Sequence, residues 1–302
     1  MFLFILSLFC ASGLFITFKL WNRFDVDAFP ATVINYLVSA IVAFFLCYPK
    51  PSVASTFHTS WVFYAIALGC VSLIDFNLNS FTTKKLGIGF TVISSKLSLV
   101  LPVTLAIVLF AETVTTMKIV GVLFAITALV LISIQKGSIV TASASWKKIY
   151  YFLPLLIFLG SGANDFLMLL LGRANSGSAA PDVTHVAFTV FTMAFLAGVV
   201  TFLALKLAGK SSHRIFLIKR NLIGGIAMGL ISVSCFSFYM MGVGRLTDAG
   251  WDGSVLVSIY AVGVLSFSVL TGIVVFHERF SRINYIGMAT ALAAIIILSL
   301  NS

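Results

Sequence analysis

Three charged residues lie inside long apolar stretches of this chain, where the chemistry open to them is ion pairing, solute binding or proton transfer. Asp75, Lys96 and Asp165 each fall within a run of mostly apolar residues that is about 20 residues long. Since a charge inside a hydrocarbon layer is costly, such residues usually pair with one another or line a path for a polar solute. They are therefore the first candidates for a binding site.

Asp75 and Lys96 are predicted to lie at the same depth. They occupy neighbouring antiparallel runs that meet at Lys84 and Lys85. Counted from that connection at about 1.5 Å per residue, both lie roughly 10–12 Å below the shared surface. Two interpretations stay open. The two residues form a structural salt bridge that offsets two burial costs, or they line a substrate path as a pair.

Asp165 follows Asn164 in the sixth apolar run. Three roles are open to its carboxylate. It could pair with Arg173, it could cap a local helix break near Gly160 and Gly162, or it could carry a proton during transport. The last role would make transport proton-coupled.

Hydroxyl and amide side chains near these charges complete the predicted binding set. Such groups hydrogen-bond to a solute or, equally well, join two helices. The predicted substrate-binding residues are Asp75, Lys96, Ser94, Ser95, Asn77, Asn164, Asp165 and Tyr260. No catalytic, cofactor-binding or metal-binding residue is predicted, because the histidines are scattered and the cysteines lie in apolar runs without metal-ligand spacing.

The elements that must position these residues are membrane-spanning helices. The chain has 302 residues, of which 60% are hydrophobic and only 9% charged, too few charges to cover a soluble surface. Ten apolar runs can be placed, at roughly 2–20, 31–48, 61–83, 89–110, 117–135, 149–172, 184–206, 221–244, 253–276 and 283–300. We expect an all-α integral membrane protein whose partner is the lipid bilayer. Nucleic-acid binding is not expected, because the basic residues lie in short loops.

The two halves of the chain match at a constant offset of 166 positions, which places Glu112 on Glu278. The same offset places Gly121 on Gly287, Ala125 on Ala291 and Ala128 on Ala294. Five helices per copy is an odd number, so the second copy must cross the membrane in the opposite sense. The prediction is two inverted five-helix repeats, at 1–136 and 147–302. The small residues of each copy are predicted to form close helix contacts.

Helices four and nine are predicted to face each other as the central walls. Ser94 and Tyr260 occupy equivalent positions in the repeat. Pro102, placed in the middle of helix four, removes one backbone hydrogen bond and predicts a kink there.

Two segments carry a resemblance to a known family. Val92 to Pro102 continuing through Ala111-Glu112, and Val255 continuing through His277-Glu278-Arg279, resemble the ten-helix EamA-like branch of the drug/metabolite transporter superfamily. The family places Gly-Glu where this chain has Ala111-Glu112 and His277-Glu278. The resemblance implies inverted repeats around a cavity, small-molecule substrates such as amino acids, nucleosides, sugars or drugs, and proton exchange in many members.

The expected function is secondary active transport of small organic solutes by alternating access, in the inner (plasma) membrane of a bacterium, by a monomer or homodimer that is not an enzyme. Two alternatives belong to other classes. An intramembrane enzyme acting on lipid-linked substrates would need clustered catalytic groups, and a channel would usually show a filter-like loop or rings of like residues. The loop charges place both termini outside the cell, whereas the resemblance places them inside.

Overall fold

The computed structural model describes residues 1–47, 61–86, 95, 98–133, 152–174, 182–207, 218–276 and 282–299. The described residues are almost entirely helical and include no strand. Their helices are α1 (Phe2–Arg23), α2 (Ala28–Leu46), α3 (Trp61–Leu86), α4 (Val100–Leu109), α5 (Thr116–Ser133), α6 (Leu153–Ala174), α7 (Val183–Leu207), α8 (Lys219–Asp248), α9 (Gly253–Phe276) and α10 (Arg282–Ser299). The predicted all-α class is confirmed.

Five stretches of these helices are long and apolar enough to cross a membrane: Ala28–Leu46, Trp61–Asn79, Leu155–Ala174, Val183–Leu207 and Lys219–Asp248. Large apolar side chains also lie on the outer surface, as with Phe45 and Val200, which are 73% and 66% exposed. A bilayer would cover such surfaces at no cost. The helices are therefore compatible with an integral membrane protein.

Two helices end in a left-handed residue that is not glycine. Asp25 after α1 has φ 51°, and Ala111 after α4 has φ 50°. After α4, the Glu112 N–H donates to the Ile107 carbonyl at 3.2 Å, which is the long bond of a Schellman motif. A side chain in this backbone region costs about 1–2 kcal/mol, so both turns need support from elsewhere in the fold.

The contacts divide the chain into two compact units, and each unit contains helices from both halves of the sequence. Unit 1 comprises Met1–Asn77 and Leu170–Asp248, and unit 2 comprises Leu78–Leu169 and Ala249–Ser302. The repeat boundaries predicted at 136 and 147 lie outside the described residues.

In unit 1, glycines of α8 allow two neighbouring helices to approach closely. A Cβ at Gly242 would lie 2.8 Å from the Phe4 backbone of α1, and near the other end of α8 the Trp21 Nε1–H donates to the Gly224 carbonyl at 3.3 Å. These contacts run in opposite directions along the chain, so α1 and α8 are antiparallel. Trp21 is 4% exposed and belongs to the buried core of this unit.

Helix α2 of unit 1 packs against both α8 and α7. A Cβ at Gly225 or Gly229 of α8 would meet Ile34 or Val38 of α2 at 2.7 and 2.8 Å, in an order that makes α2 and α8 parallel. The contacts of α2 with α7 follow the opposite order. Gly198 lies against Val33, and the rings of Phe44 and Phe188 are 5.5 Å apart between centroids.

Helices α3 and α7 of the same unit form a second parallel pair. Trp61 packs edge-on against His185 at 5.5 Å between ring centroids, near the start of each helix. Further along, a Cβ at Gly69 would lie 2.6 Å from the Val190 carbonyl oxygen. Backbone contact this close requires glycine, because any side chain would force the helices apart.

In unit 2, α5 and α10 pack through the predicted small residues. A Cβ at Gly121 would lie 2.7 Å from the Leu298 side chain, and the four alanines of the two stripes have no exposed surface. They are Ala125, Ala128, Ala291 and Ala294. The prediction that these stripes form helix contacts is confirmed. Helix α9 packs against α4, α5 and α10.

The kink predicted at Pro102 stays a prediction, because residues 96 and 97 lie outside the described residues. Ser95 is helical, Ser98 and Leu99 form a turn, and Pro102 lies in the first turn of α4. The carbonyl of Ser98, four residues before the proline, accepts a hydrogen bond from the Leu101 N–H at 2.9 Å. Among these residues, the helix is therefore interrupted four residues before the proline, at the carbonyl to which a proline cannot donate.

Candidate functional site

The predicted binding residues fall into both units. In unit 1, α3 carries Asp75 and Asn77, both half-buried. The Asp75 carboxylate lies close enough to the buried Tyr36 hydroxyl of α2 to interact with it electrostatically. The Asn77 amide donates to the Leu73 carbonyl at 2.8 Å, so one of its donors is used within its own helix.

In unit 2, serines join the segment before α4 to α6. The Ser95 hydroxyl donates to the Ser161 hydroxyl at 3.1 Å, and the Ser98 hydroxyl donates to the Ser95 carbonyl. The helices are close here because α6 has a glycine, Gly162, whose added Cβ would lie 2.6 Å from the Leu101 side chain.

Asn164 and Asp165 extend this serine contact into a polar face. They follow Ser161 on α6 by three and four residues, a spacing that puts the three side chains on one side of the helix. Both are half-buried. Unit 2 therefore brings together three of the predicted residues, Ser95, Asn164 and Asp165.

Tyr260 belongs to unit 2 as well, on α9, and is half-buried. Earlier on the same helix, Ser254 and Ser258 have no exposed surface, and the Ser258 hydroxyl donates to the Ser254 carbonyl at 2.8 Å. Helix α9 packs against α4, and whether the two helices line a cavity stays a prediction. Ser94 and Lys96 lie outside the described residues, so the Asp75–Lys96 pair stays a prediction.

The sequence analysis missed a buried charged junction in unit 2, which is formed by Glu112, Lys118 and Asp252. The Lys118 Nζ lies 3.2 Å from Glu112 Oε2 and 2.7 Å from Asp252 Oδ2. It also donates to the Thr113 carbonyl at 3.2 Å. The side chains of Lys118 and Glu112 are only 1% and 2% exposed. Charges this deeply buried are stable only when they are paired and hydrogen-bonded.

The Glu112 carboxylate caps the start of α9. Its Oε1 accepts from the Gly253 N–H at 2.7 Å, and its Oε2 accepts from the Ser254 N–H at 3.3 Å and the Ser254 hydroxyl at 2.5 Å. These N–H groups have no partner within their own helix, and the helix dipole favours a negative charge at this end. With Lys118 added, the carboxylate receives four donors. It therefore serves as an anchor and is not open to a solute.

These contacts set the ionisation of Glu112. Burial raises the pKa of its carboxyl, but the hydrogen bonds from Ser254 and the charge of Lys118 outweigh burial, so the pKa lies below its ordinary value. A lowered pKa in the folded protein stabilises it at every pH above the ordinary value. That contribution is lost only as pH falls through the lowered pKa.

One signal in the sequence could have revealed the junction. Lys118 lies in the first turn of α5, where the helix dipole disfavours a cation. Taken as one of the basic residues of short loops, Lys118 gives no sign of this contact, and Glu112 marks only the repeat. A charge on the wrong end of a helix indicates a partner from another part of the chain.

Within the described residues, no group of three or more histidine, cysteine or carboxylate side chains could hold a metal ion. Unit 1 has a surface cavity of about 220 Å³ between α2 and α7, lined by apolar side chains alone. They are Val33, Ile34, Leu37, Phe195, Val199 and Phe202. Without polar groups, this cavity does not suit a hydrophilic solute.

Comparisons with known proteins place the chain among proteins of similar length and fold. An uncharacterized protein from Haemophilus influenzae is 25% identical over 297 residues, which cover 96% of this chain and 95% of the relative. A crystal structure of another protein aligns with a TM-score of 0.72, over 99% of this chain and 96% of that one, at 15% identity. That likeness concerns the fold alone. No protein-family model matches the chain.

Proposed function

We propose that this protein is a secondary active transporter of small organic solutes that works by alternating access across the bacterial inner membrane. Its ten helices would form two inverted five-helix repeats, as the resemblance to EamA-like transporters implies. The directions in which equivalent helices pack carry this proposal.

In an inverted repeat of five helices, α2 and α7 are counterparts and must cross the membrane in opposite senses. The two helices are antiparallel where they touch, with Val33 against Gly198 and Phe44 against Phe188. A repeat of the same sense would make them parallel. Their direction therefore supports the inverted arrangement.

A second pair of contacts obeys the same symmetry. Helix α8 packs on α2 in parallel, through Gly225 and Gly229. Its proposed counterpart α3 packs on α7, which is the counterpart of α2, also in parallel and also through a glycine, Gly69. The third helix of each half therefore packs against the second helix of the other half. This mutual exchange is expected when one ancestral unit was duplicated.

Each unit carries polar side chains that are candidates for solute contact. Asp75 in unit 1 and Asp165 in unit 2 are carboxylates on largely apolar helices. Such residues are retained in membrane proteins chiefly for solute binding or proton movement. We assign substrate contact to Ser95, Asn164 and Tyr260 together with these two, and proton coupling to Asp165.

A ligand screen followed by flux measurements tests the proposal. Detergent-purified protein is screened with metabolites for a rise in melting temperature, because a ligand that binds the folded state raises it. Saturable, pH-gradient-dependent uptake of that ligand into proteoliposomes is expected. D75N and D165N should each reduce uptake about tenfold, the loss expected when a charge-assisted hydrogen bond is removed.

Asp25→Asn is the matched control, because this carboxylate is 88% exposed and lies outside the helices. It should leave uptake unchanged. Single-channel conductance steps, or conversion of the ligand to a product, would contradict the proposal. Equal uptake by the wild type, D75N and D165N would overturn the site assignment alone.

A further inference from the structure

The junction of Glu112, Lys118 and Asp252 in unit 2 groups three charged side chains at the start of α9, apart from the residues of the proposed transport site. Two carboxylates meet at one helix N-terminus: Asp252 immediately precedes α9, and Glu112 reaches it from the α4–α5 connection. A helix N-terminus carries roughly half a positive charge, which is too little to balance the buried Glu112 and the partly exposed Asp252. A cation is needed at this point.

The Lys118 ammonium supplies that cation, and the number of its N–H donors matches the number of oxygen atoms around it. An ammonium group has three N–H donors and no acceptor. Lys118 Nζ has three oxygen partners in the described residues, Glu112 Oε2 at 3.2 Å, Thr113 O at 3.2 Å and Asp252 Oδ2 at 2.7 Å. All three donors are therefore satisfied within a pocket that excludes water from the side chain, which is 1% exposed.

Local sequence preferences do not explain this lysine. Its backbone N–H is bonded to the Thr115 hydroxyl at 3.2 Å, which fixes Lys118 in the first turn of α5. A cation at this end of a helix is unfavourable, because the helix dipole is positive there. A residue whose charge is unfavourable at its position in a helix is usually held there by a contact elsewhere in the fold. Here that contact is with the three oxygen atoms around Lys118 Nζ, which together form a pocket.

We infer that this pocket is a binding site for a primary ammonium group, which Lys118 fills from within, and that its occupation holds the first turn of α9 against the α4–α5 connection. Deleting the side chain would leave the site able to accept a free alkylammonium ion. Asp252 is 30% exposed, which provides the entrance.

Chemical rescue tests the inference on the full-length protein in detergent. K118A should lower the melting temperature by about 10 °C, as expected for a buried ion pair that loses one partner. Propylammonium chloride replaces the missing atoms of the lysine beyond Cβ and should restore at least half of that loss. Tetramethylammonium chloride has the same charge and no N–H donor, and should restore none at equal concentration.

Arg220→Ala is the matched control, because its ion pair with Asp25 is exposed at 44% and 88%. Its melting temperature should stay within about 2 °C of the wild type, with no response to propylammonium. The inference would be overturned if both salts raised the melting temperature of K118A equally. It would also be overturned if propylammonium raised the melting temperature of R220A as much as that of K118A, since the effect would then be one of ionic strength.

A second comparison keeps the inference testable if K118A does not fold. K118M fills the space of the lysine but leaves two anions together, whereas E112Q/K118M restores the net charge of the junction. The double variant should melt at a higher temperature than K118M. A double variant that melts at or below K118M would refute a site built around an ammonium charge.

Discussion

Two connections between helices in this protein have a similar backbone geometry but are held in place by different side-chain interactions. The α1–α2 connection of unit 1 and the α4–α5 connection of unit 2 each follow a left-handed residue that is not glycine, Asp25 or Ala111. Each also docks on the first turn of a later helix, α8 or α9, within its own unit.

The unit 1 connection keeps its charges in contact with solvent. Its buried group is the neutral amide of Asn221, which accepts from the Asp27 N–H at 2.9 Å and donates to the Asp27 carboxylate at 3.4 Å. The ion pair of Asp25 and Arg220 is exposed. The unit 2 connection instead buries its ions almost completely.

This difference predicts how much stability the protein loses when each connection is mutated. A neutral hydrogen bond can be lost with modest cost, and an exposed ion pair contributes little. A buried ion cluster is stable only when it is complete, because a remaining charge keeps its desolvation penalty. The connection in unit 2 should therefore be the more sensitive to single substitutions.

The largest expected effect is that of Glu112→Ala compared with Asp25→Ala. E112A removes the cap of α9 and one partner of Lys118, and should lower the free energy of unfolding by about 3–5 kcal/mol. D25A should lower it by less than about 1 kcal/mol. Denaturant titration of both purified variants measures the difference. Similar losses would show that burial does not distinguish the two connections.

An intermediate effect is expected for Asn221→Ala. Asn221 has no exposed surface, and its removal leaves the Asp27 N–H without its acceptor. The loss should be about 1–3 kcal/mol, less than that of E112A because the Asp27 carboxylate, which also loses a donor, is only partly buried. The same titration applies, with Thr127→Ala as the control, since its exposed hydroxyl bonds only within its own helix. A loss as large as that of E112A would contradict this ranking.

The smallest expected effect is a gain in stability for Ala111→Gly. Glycine adopts the φ of 50° without strain, so A111G should stabilise the protein by about 1 kcal/mol. Asp25→Gly relieves the same strain but also loses an exposed ion pair, and should gain less. Melting temperatures compare the two. A loss of stability in A111G would show that the left-handed turn is not strained.

Ala111 and Glu112 have separate roles in the α4–α5 connection. Ala111 has a left-handed backbone, a conformation that glycine adopts without strain. The Glu112 carboxylate caps the start of α9.

Several features could be predicted from the sequence because they depend on local composition. Apolar runs predict helices, since a backbone in a hydrocarbon environment must satisfy its hydrogen bonds within each segment. The small residues around Gly121 predicted a close helix contact, and the structure places them against α10. Pro102 predicts an irregular helix near this position, and the described residues have a turn at Ser98 and Leu99 before α4 begins at Val100.

The candidate site could be predicted only in part. Ser95, Asn164 and Asp165 were selected as isolated polar residues on apolar runs, and the structure brings them to one unit through the Ser95–Ser161 bond. That bond joins residues 66 positions apart, and no local pattern encodes such a partner.

By itself, the sequence determined the helical class and the compatibility with a bilayer, because both follow from how many apolar residues occur in succession. Only the tertiary structure decided which charges meet. Lys118 and Asp252 are 134 positions apart, and their contact depends on how α5 and α9 pack. Since a buried ion takes its energy from its spatial neighbours and not from its sequence neighbours, the junction became visible only in three dimensions.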